Sequence, residues 1–172
     1  HYMANNLTIA IVGDVDPQQV KKLAKIYFGR LPKGPDPEPV VTVEPEQQGE
    51  RRFEVEAPAQ PFIIMAFHRP SINHPDNAVF DVITDILGMG RTSRLYRRLV
   101  KQERIAVQAS AFSGLTGDKY PGLFVFYAVP AHGHTNEECE ASILDEIEKL
   151  KREPVTEEEL QKAKDRARAN LV

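Results

Sequence analysis

At 172 residues, with 41% hydrophobic and 27% charged side chains and a formal net charge of −3, the chain has the balance of an ordinary globular protein with length enough for a sizeable core. That balance demands no polyanionic partner, and no apolar run approaches the roughly 20 residues that cross a bilayer. The single cysteine, Cys139, excludes an intrachain disulfide and leaves the compartment open between periplasm and cytoplasm.

The chain starts abruptly at His1-Tyr2, close before a strand, and reads as an excised fragment with any targeting signal upstream. Leu7 to Val12 is the strand. Asp16 as N-cap and Pro17 at the first helical position open a helix running to about Phe28, with Val20, Leu23, Ala24, Tyr27 and Phe28 at helical spacing and Gly29 as its stop. Residues 1–31 form one segment, too small to be a domain. Residues 32–50, with Pro32, Pro35, Pro37, Pro39 and Pro45 among acidic and small residues, read as a semi-extended linker.

Residues 51–172 form the larger segment. Phe53, Val55 and Ala57 alternate with Glu54 and Glu56 as a half-exposed strand, and the continuous apolar run Phe62 to Phe67 is expected to be a central one. A helix from about Asp76 to Leu87 turns Ala78, Val79, Val82, Ile83, Ile86 and Leu87 to one side. A second, about Thr92 to Glu103, turns Leu95, Tyr96, Leu99 and Val100 inward. Strands near Ala106 to Ser113 and Gly122 to Val129 follow. Two helices close the chain, each opening on a capping box, Thr135 with Glu138 and Thr156 with Glu159. The order βα-linker-ββααββαα predicts an α+β fold, an antiparallel sheet covered by helices on one face.

The run Leu87-Gly88-Met89-Gly90-Arg91-Thr92-Ser93-Arg94-Leu95-Tyr96, continued to Ile105-Ala106-Val107, resembles a signature of the M16 (pitrilysin/insulinase-like) zinc peptidases. That family carries an apolar helix ending in Leu-Gly-Gly-Gly, then Ser-Ser-Arg-Leu-Phe/Tyr, a helix, and a strand entered through Leu-Ala-Tyr. His74-Pro75-Asp76, Gly122-Leu123-Phe124 and Thr156 to Leu160 support the likeness. Gly88, Gly90, Ser93, Arg94, Leu95, Tyr96 and Ala106 are its structural motif here. The resemblance implies the LuxS/MPP-like metallohydrolase roll: residues 1–31 would end a first roll, and 51–172 would make most of the inactive, substrate-side second.

Family members hold zinc with an H-x-x-E-H helix and a distal glutamate. This sequence has none, so no catalytic or metal-ligating residue is expected in it, and zinc would lie in the parent protein or its partner. The nearest approach, His134-Thr135-Asn136-Glu137-Glu138 with His132 nearby, has glutamate where the second histidine belongs and reads as a loop feeding an N-capped helix. His68 and His74 read as turn or surface residues. The family's second half can also supply an arginine and a tyrosine, in Arg-Glu-x-x-Gly-Leu-Ala-Tyr, that hold the substrate backbone. Val100 and Val107 occupy those places, and valine cannot donate to a peptide carbonyl.

The resemblance thus implies a fragment that is inactive by itself and closes a chamber around an extended peptide, in a subunit working with a homologous M16 subunit as a hetero- or homodimer. A non-enzymatic scaffold subunit of the same fold is the alternative. Arg91, Arg94, Arg97, Arg98, Lys101 and Arg104 form a basic stripe, read as a solvated helix face. Nucleic acid binding is set aside, because Phe124, Phe126 and Tyr127 would point to both faces of their strand, whereas a stacking platform needs alternate residues. Gly88 and Gly90 are expected to use left-handed angles in a tight turn.

Overall fold

The structure, a computed structural model, describes residues 2–39 and 43–170; linker positions 40–42 lie outside the described residues. It divides into two compact units, residues 1–54 and 55–172.

In the first unit, helix α1 (Pro17–Tyr27) starts as expected: the Asp16 carboxylate accepts from the Gln18 N–H at 2.8 Å, and Pro17 sits at the first helical position. Leu7 to Val12, expected as a strand, belongs to no sheet among the described residues. Part of the proline-rich stretch is not free linker either. The Asn5 side chain donates to Asp36 Oδ1 at 2.6 Å and accepts from the Gly34 N–H at 3.1 Å, folding residues 34–36 back on the short turn Ala4–Asn6. No described residue of this unit is buried.

The second unit holds a three-stranded antiparallel sheet in the order β1-β3-β2: β1 (Ile63–Arg69), β2 (Ala106–Ser113) and β3 (Gly122–Pro130). Around it run helices α2 (Asn77–Gly88), α3 (Asn136–Arg152) and α4 (Glu157–Ala169), and a π helix (Tyr96–Gln102). The fold is α+β, with helices over one face of the sheet. Two expectations change. Phe53, Val55 and Ala57 join no ladder among the described residues, Phe53 and Val55 being 85% and 84% exposed. As a result β1 is an edge strand, and the central place belongs to β3, which pairs on both sides.

Register decides which face is which. The rows Ile63/Ala128/Ala109 and Met65/Phe126/Ala111 lie on one side of the pleat, with Phe124 beside them. Leu87, Leu95, Leu99, Cys139 and Ile143 pack on this side to make the core. The rows Ile64/Tyr127/Ser110 and Ala66/Val125/Phe112 lie on the other, where Ile64 and Phe112 remain 52% and 37% exposed. Phe62 lies against Tyr127, ring centres 5.9 Å apart. The aromatics of β3 point to both faces as expected, Phe124 and Phe126 to the covered one and Tyr127 to the other.

Helix α2 is rotated slightly from its expected face. Val79 is 55% exposed, and Phe80, with Ile83 and Leu87, packs on the core instead. Both capping boxes form, at Thr135 with Glu138 and at Thr156 with Glu159.

Candidate functional site

The segment from Gly88 to Val107 crosses the core side of the second unit, and each motif residue has a physical task. Gly88 ends α2 against β2: a Cβ there would lie 2.1 Å from the Ala111 backbone nitrogen and 2.2 Å from its carbonyl oxygen. Close approach, not a left-handed angle, is what requires glycine at this position. Gly90 does take the left-handed angle, φ 75°. The buried Ser93 hydroxyl donates to the Gly90 carbonyl at 2.8 Å and fixes the turn. Leu95 and Leu99 are wholly buried, Tyr96 is half-buried beneath the Lys101 ammonium (5.9 Å from the ring centre), and Ala106 enters the core as β2 begins.

The expected helix from Thr92 to Glu103 is instead wound as a π helix over Tyr96–Gln102. It ends on Arg104 at φ 60°, the one non-glycine residue with positive φ among the described residues. In the family pattern Arg-Glu-x-x-Gly-Leu-Ala-Tyr the glycine falls at this place, so the pattern held the signal for a left-handed residue. Val100 is half-buried and packs on the core. Val107 is 56% exposed and is the extra residue where the pairing of β2 with β3 shifts between Ala106 and Gln108.

The basic stripe is not simply a solvated face. Arg94 forms a two-pronged ion pair with Glu159 of α4, both contacts at 2.7 Å, and reaches Glu146 of α3 at 3.6 Å. Arg98 donates to Glu103 at 2.7 Å, to Asp145 at 2.5 Å and to Glu146 at 3.3 Å. The Arg94 hydrogen bond outweighs the opposing effect of burial and, with the Thr156 N–H, holds the Glu159 carboxyl down at about 2. For Arg98, burial favours the neutral form, but the bonds to Glu103, Asp145 and Glu146 prevail and its pKa is raised. Through these pairs the segment carrying Arg94 and Arg98 is tied to both α3 and α4.

A groove of about 440 Å³ opens beside this network, walled by four cations (Arg94, Arg97, Arg98, Lys149) and four carboxylates (Glu103, Glu146, Glu153, Glu159). It has no net charge with which to select an ion. Two further features escaped the sequence reading. Arg69, 4% exposed, donates to Ser113, Asn77 and the Pro70 carbonyl, and lies 5.5 Å from the Phe80 ring centre, so it ties the ends of β1 and β2 to the start of α2. Glu159 was legible as a capping residue but not as the counter-ion of Arg94, because a pairing 65 residues apart leaves no local pattern.

His134 Nδ1 lies 3.0 Å from Glu138, which also accepts from the Thr135 N–H at 2.8 Å, so the histidine-glutamate stretch serves the cap of α3. His74 accepts from the Asp76 N–H at 3.2 Å at the start of α2. Among the described residues no three histidine, cysteine or acidic side chains are grouped to hold a metal ion, and no helix is long and apolar enough to cross a membrane. Burial pushes the Cys139 thiol up to about 11, so it is no ready nucleophile near neutral pH. The arrangement is a frame for the sheet.

A one-sided helix layer on a small antiparallel sheet, joined through a glycine-serine-arginine turn, defines the class of protein. The chain belongs to the M16 peptidase family: the sequence profile of the peptidase M16 inactive domain matches residues 1–167. Among relatives, the zinc protease PqqE of Helicobacter pylori is 31% identical over 180 positions, which take in all of this chain and 39% of the relative. The crystal structure of a protease from Helicobacter pylori superposes with a TM-score of 0.81 at 30% identity, over 93% of this chain and 39% of that one. A peptidase M16 inactive domain from Pseudomonas fluorescens shares the fold, with a TM-score of 0.72 at 22% identity over 98% of this chain and 40% of that one. This chain spans about two fifths of the length of the curated relatives it matches.

Proposed function

We propose that this chain is the substrate-side, non-catalytic part of a zinc metallopeptidase subunit, where it closes a chamber around an extended peptide and supports pairing with a homologous subunit. Residues 1–31 would end a first roll, 32–50 link the two, and 51–172 form most of the second. The observation that carries the reading is the open face of the sheet. Ile64, Phe112 and Tyr127 lie on it around the buried Val125, with Phe62 alongside, while α2, the π helix and α3 pack on the other side. Such a surface suits an unfolded peptide, whose side chains are met by apolar contact rather than by a shaped cavity.

Zinc belongs, on this reading, to the remainder of the parent protein or to its partner. With valines at positions 100 and 107, the substrate-holding donors would come from that partner too. A missing hydrogen bond to developing charge is worth about 3 kcal/mol, or roughly a hundredfold in rate. The full-length subunit alone should be nearly inactive on peptides, and mixing it with a partner bearing the arginine-tyrosine pair should restore cleavage. Robust proteolysis by the purified subunit alone refutes the two-subunit reading. The present chain, dialysed, should retain no stoichiometric zinc, and one tightly held zinc lost on replacing His132 and His134 by alanine would expose a site at that loop. No cleavage under any pairing would favour a scaffold subunit. Val107→Tyr should be accepted at its exposed position, whereas Val100→Arg must displace core contacts and should cost stability.

A further inference from the structure

Three departures from regular backbone fall within twelve residues: the π helix Tyr96–Gln102, the left-handed Arg104, and the extra residue Val107 in β2. A π helix is rare and usually a single turn inside an α-helix, and a non-glycine side chain at φ above zero is strained. Something must hold both.

Glu103 is placed to do so. Its N–H donates to the Arg98 carbonyl at 2.8 Å, a bond five residues back, and its carboxylate accepts from Arg98 Nε at 2.7 Å and from the Ser142 hydroxyl at 2.6 Å. In an α-helix, side chains five apart are turned about 140° from each other. The Arg98 to Glu103 pair therefore belongs to the π winding and not to the α alternative. Arg98 is itself gripped by Asp145 and Glu146 of α3, the helix that supplies Ser142. Just beyond, the Ile105 carbonyl accepts from the Ala131 N–H at 2.8 Å, so the chain is caught again before β2.

We propose that Glu103 is the latch of a register switch. When Glu103 is held by Arg98 and Ser142, residues 96–102 keep the π winding and Arg104 stays left-handed. When it is released, the segment rewinds as an α-helix and passes its surplus residue into the turn before β2. Arg104 then leaves the strained region, and the bulge at Val107 moves. A load applied at Val107 would be felt at α3 through the same ion pairs. The switch follows from the backbone and its ties alone, whatever enzyme the parent protein proves to be.

The test is residue-resolved amide exchange and carbon chemical shifts on the full 172-residue chain and its variants. Glu103→Ala should give α-helical carbon shifts through residue 103 and move the acceptor of the residue-103 amide, read by scalar coupling across the hydrogen bond, from the Arg98 to the Leu99 carbonyl, with β3 amides unchanged. Arg104→Gly, which removes the penalty only from the π state, should raise protection of the residue-103 amide about three- to fivefold. Retention of the π carbon shifts and of the Arg98 acceptor in Glu103→Ala, or unchanged or weakened protection in Arg104→Gly, overturns the proposal. Should Glu103→Ala fail to fold, the Arg104→Gly result decides alone.

Discussion

Leu7-Thr8-Ile9-Ala10-Ile11 in the first unit and Phe124-Val125-Phe126 in the second are both apolar enough to be strands, yet they meet opposite fates. Leu7, Ile9 and Ile11 are 57%, 48% and 51% exposed and join no sheet among the described residues, whereas Phe124 and Phe126 are each 4% exposed at the centre of one. β3 has a strand on either side and α3 over it, so its backbone groups are bonded along both edges. An apolar pattern makes a segment eligible for burial, and complementary layers decide whether burial happens.

The largest effect should sharpen that contrast directly. Phe126→Ala is expected to cost about 4 kcal/mol in urea denaturation, against less than about 0.5 kcal/mol for Ile9→Ala. Equal costs would break the comparison. Next in size, Gly88→Ala forces a methyl group onto the Ala111 backbone and should cost about 3 kcal/mol, with amide shifts in β2 as a second readout.

The ion-pair network should come third. Arg94→Ala leaves Glu159 and Glu146 without their shared partner and should cost about 2–3 kcal/mol. The pH dependence has a definite sign. Glu159 is held at about 2, below its ordinary 4.5, so the stability it contributes is present above pH 4.5 and is lost as pH falls from there towards 2. Glu159→Gln should flatten denaturation curves over that window, and an unaltered slope would show the pair to be inert. Smallest of all, Thr156→Ala should cost about 1 kcal/mol by removing the cap of α4, while Asp16→Ala should lower the helicity of α1 by circular dichroism with little effect on the main unfolding transition.

Local chemistry carried much of the fold into plain view. The Asp16-Pro17 start of α1, the two capping boxes, the strands at 106–113 and 122–130 and the glycine-serine turn each rest on residues within one or two turns of one another, and each formed. The family likeness at Gly88 to Tyr96 came from the same short span. What failed did so for want of a neighbour: residues 53–57 have a strand pattern and no ladder, and β1 lost the central place with them. The π winding was hidden because Leu95, Leu99 and Val100 satisfy an α-helical spacing as well as the wider one.

By itself the sequence determined the class of the chain, its helix caps, its tight turn, and the valines at positions 100 and 107, since these depend on side-chain chemistry and short-range sterics. Only the tertiary structure decided which strand is central, which sheet face stays open, that Gly88 is needed for contact with Ala111, and that Arg94 and Arg98 bind α3 and α4. Those outcomes join residues tens of positions apart, and their energies come from burial and charge pairing that exist only once the layers have met.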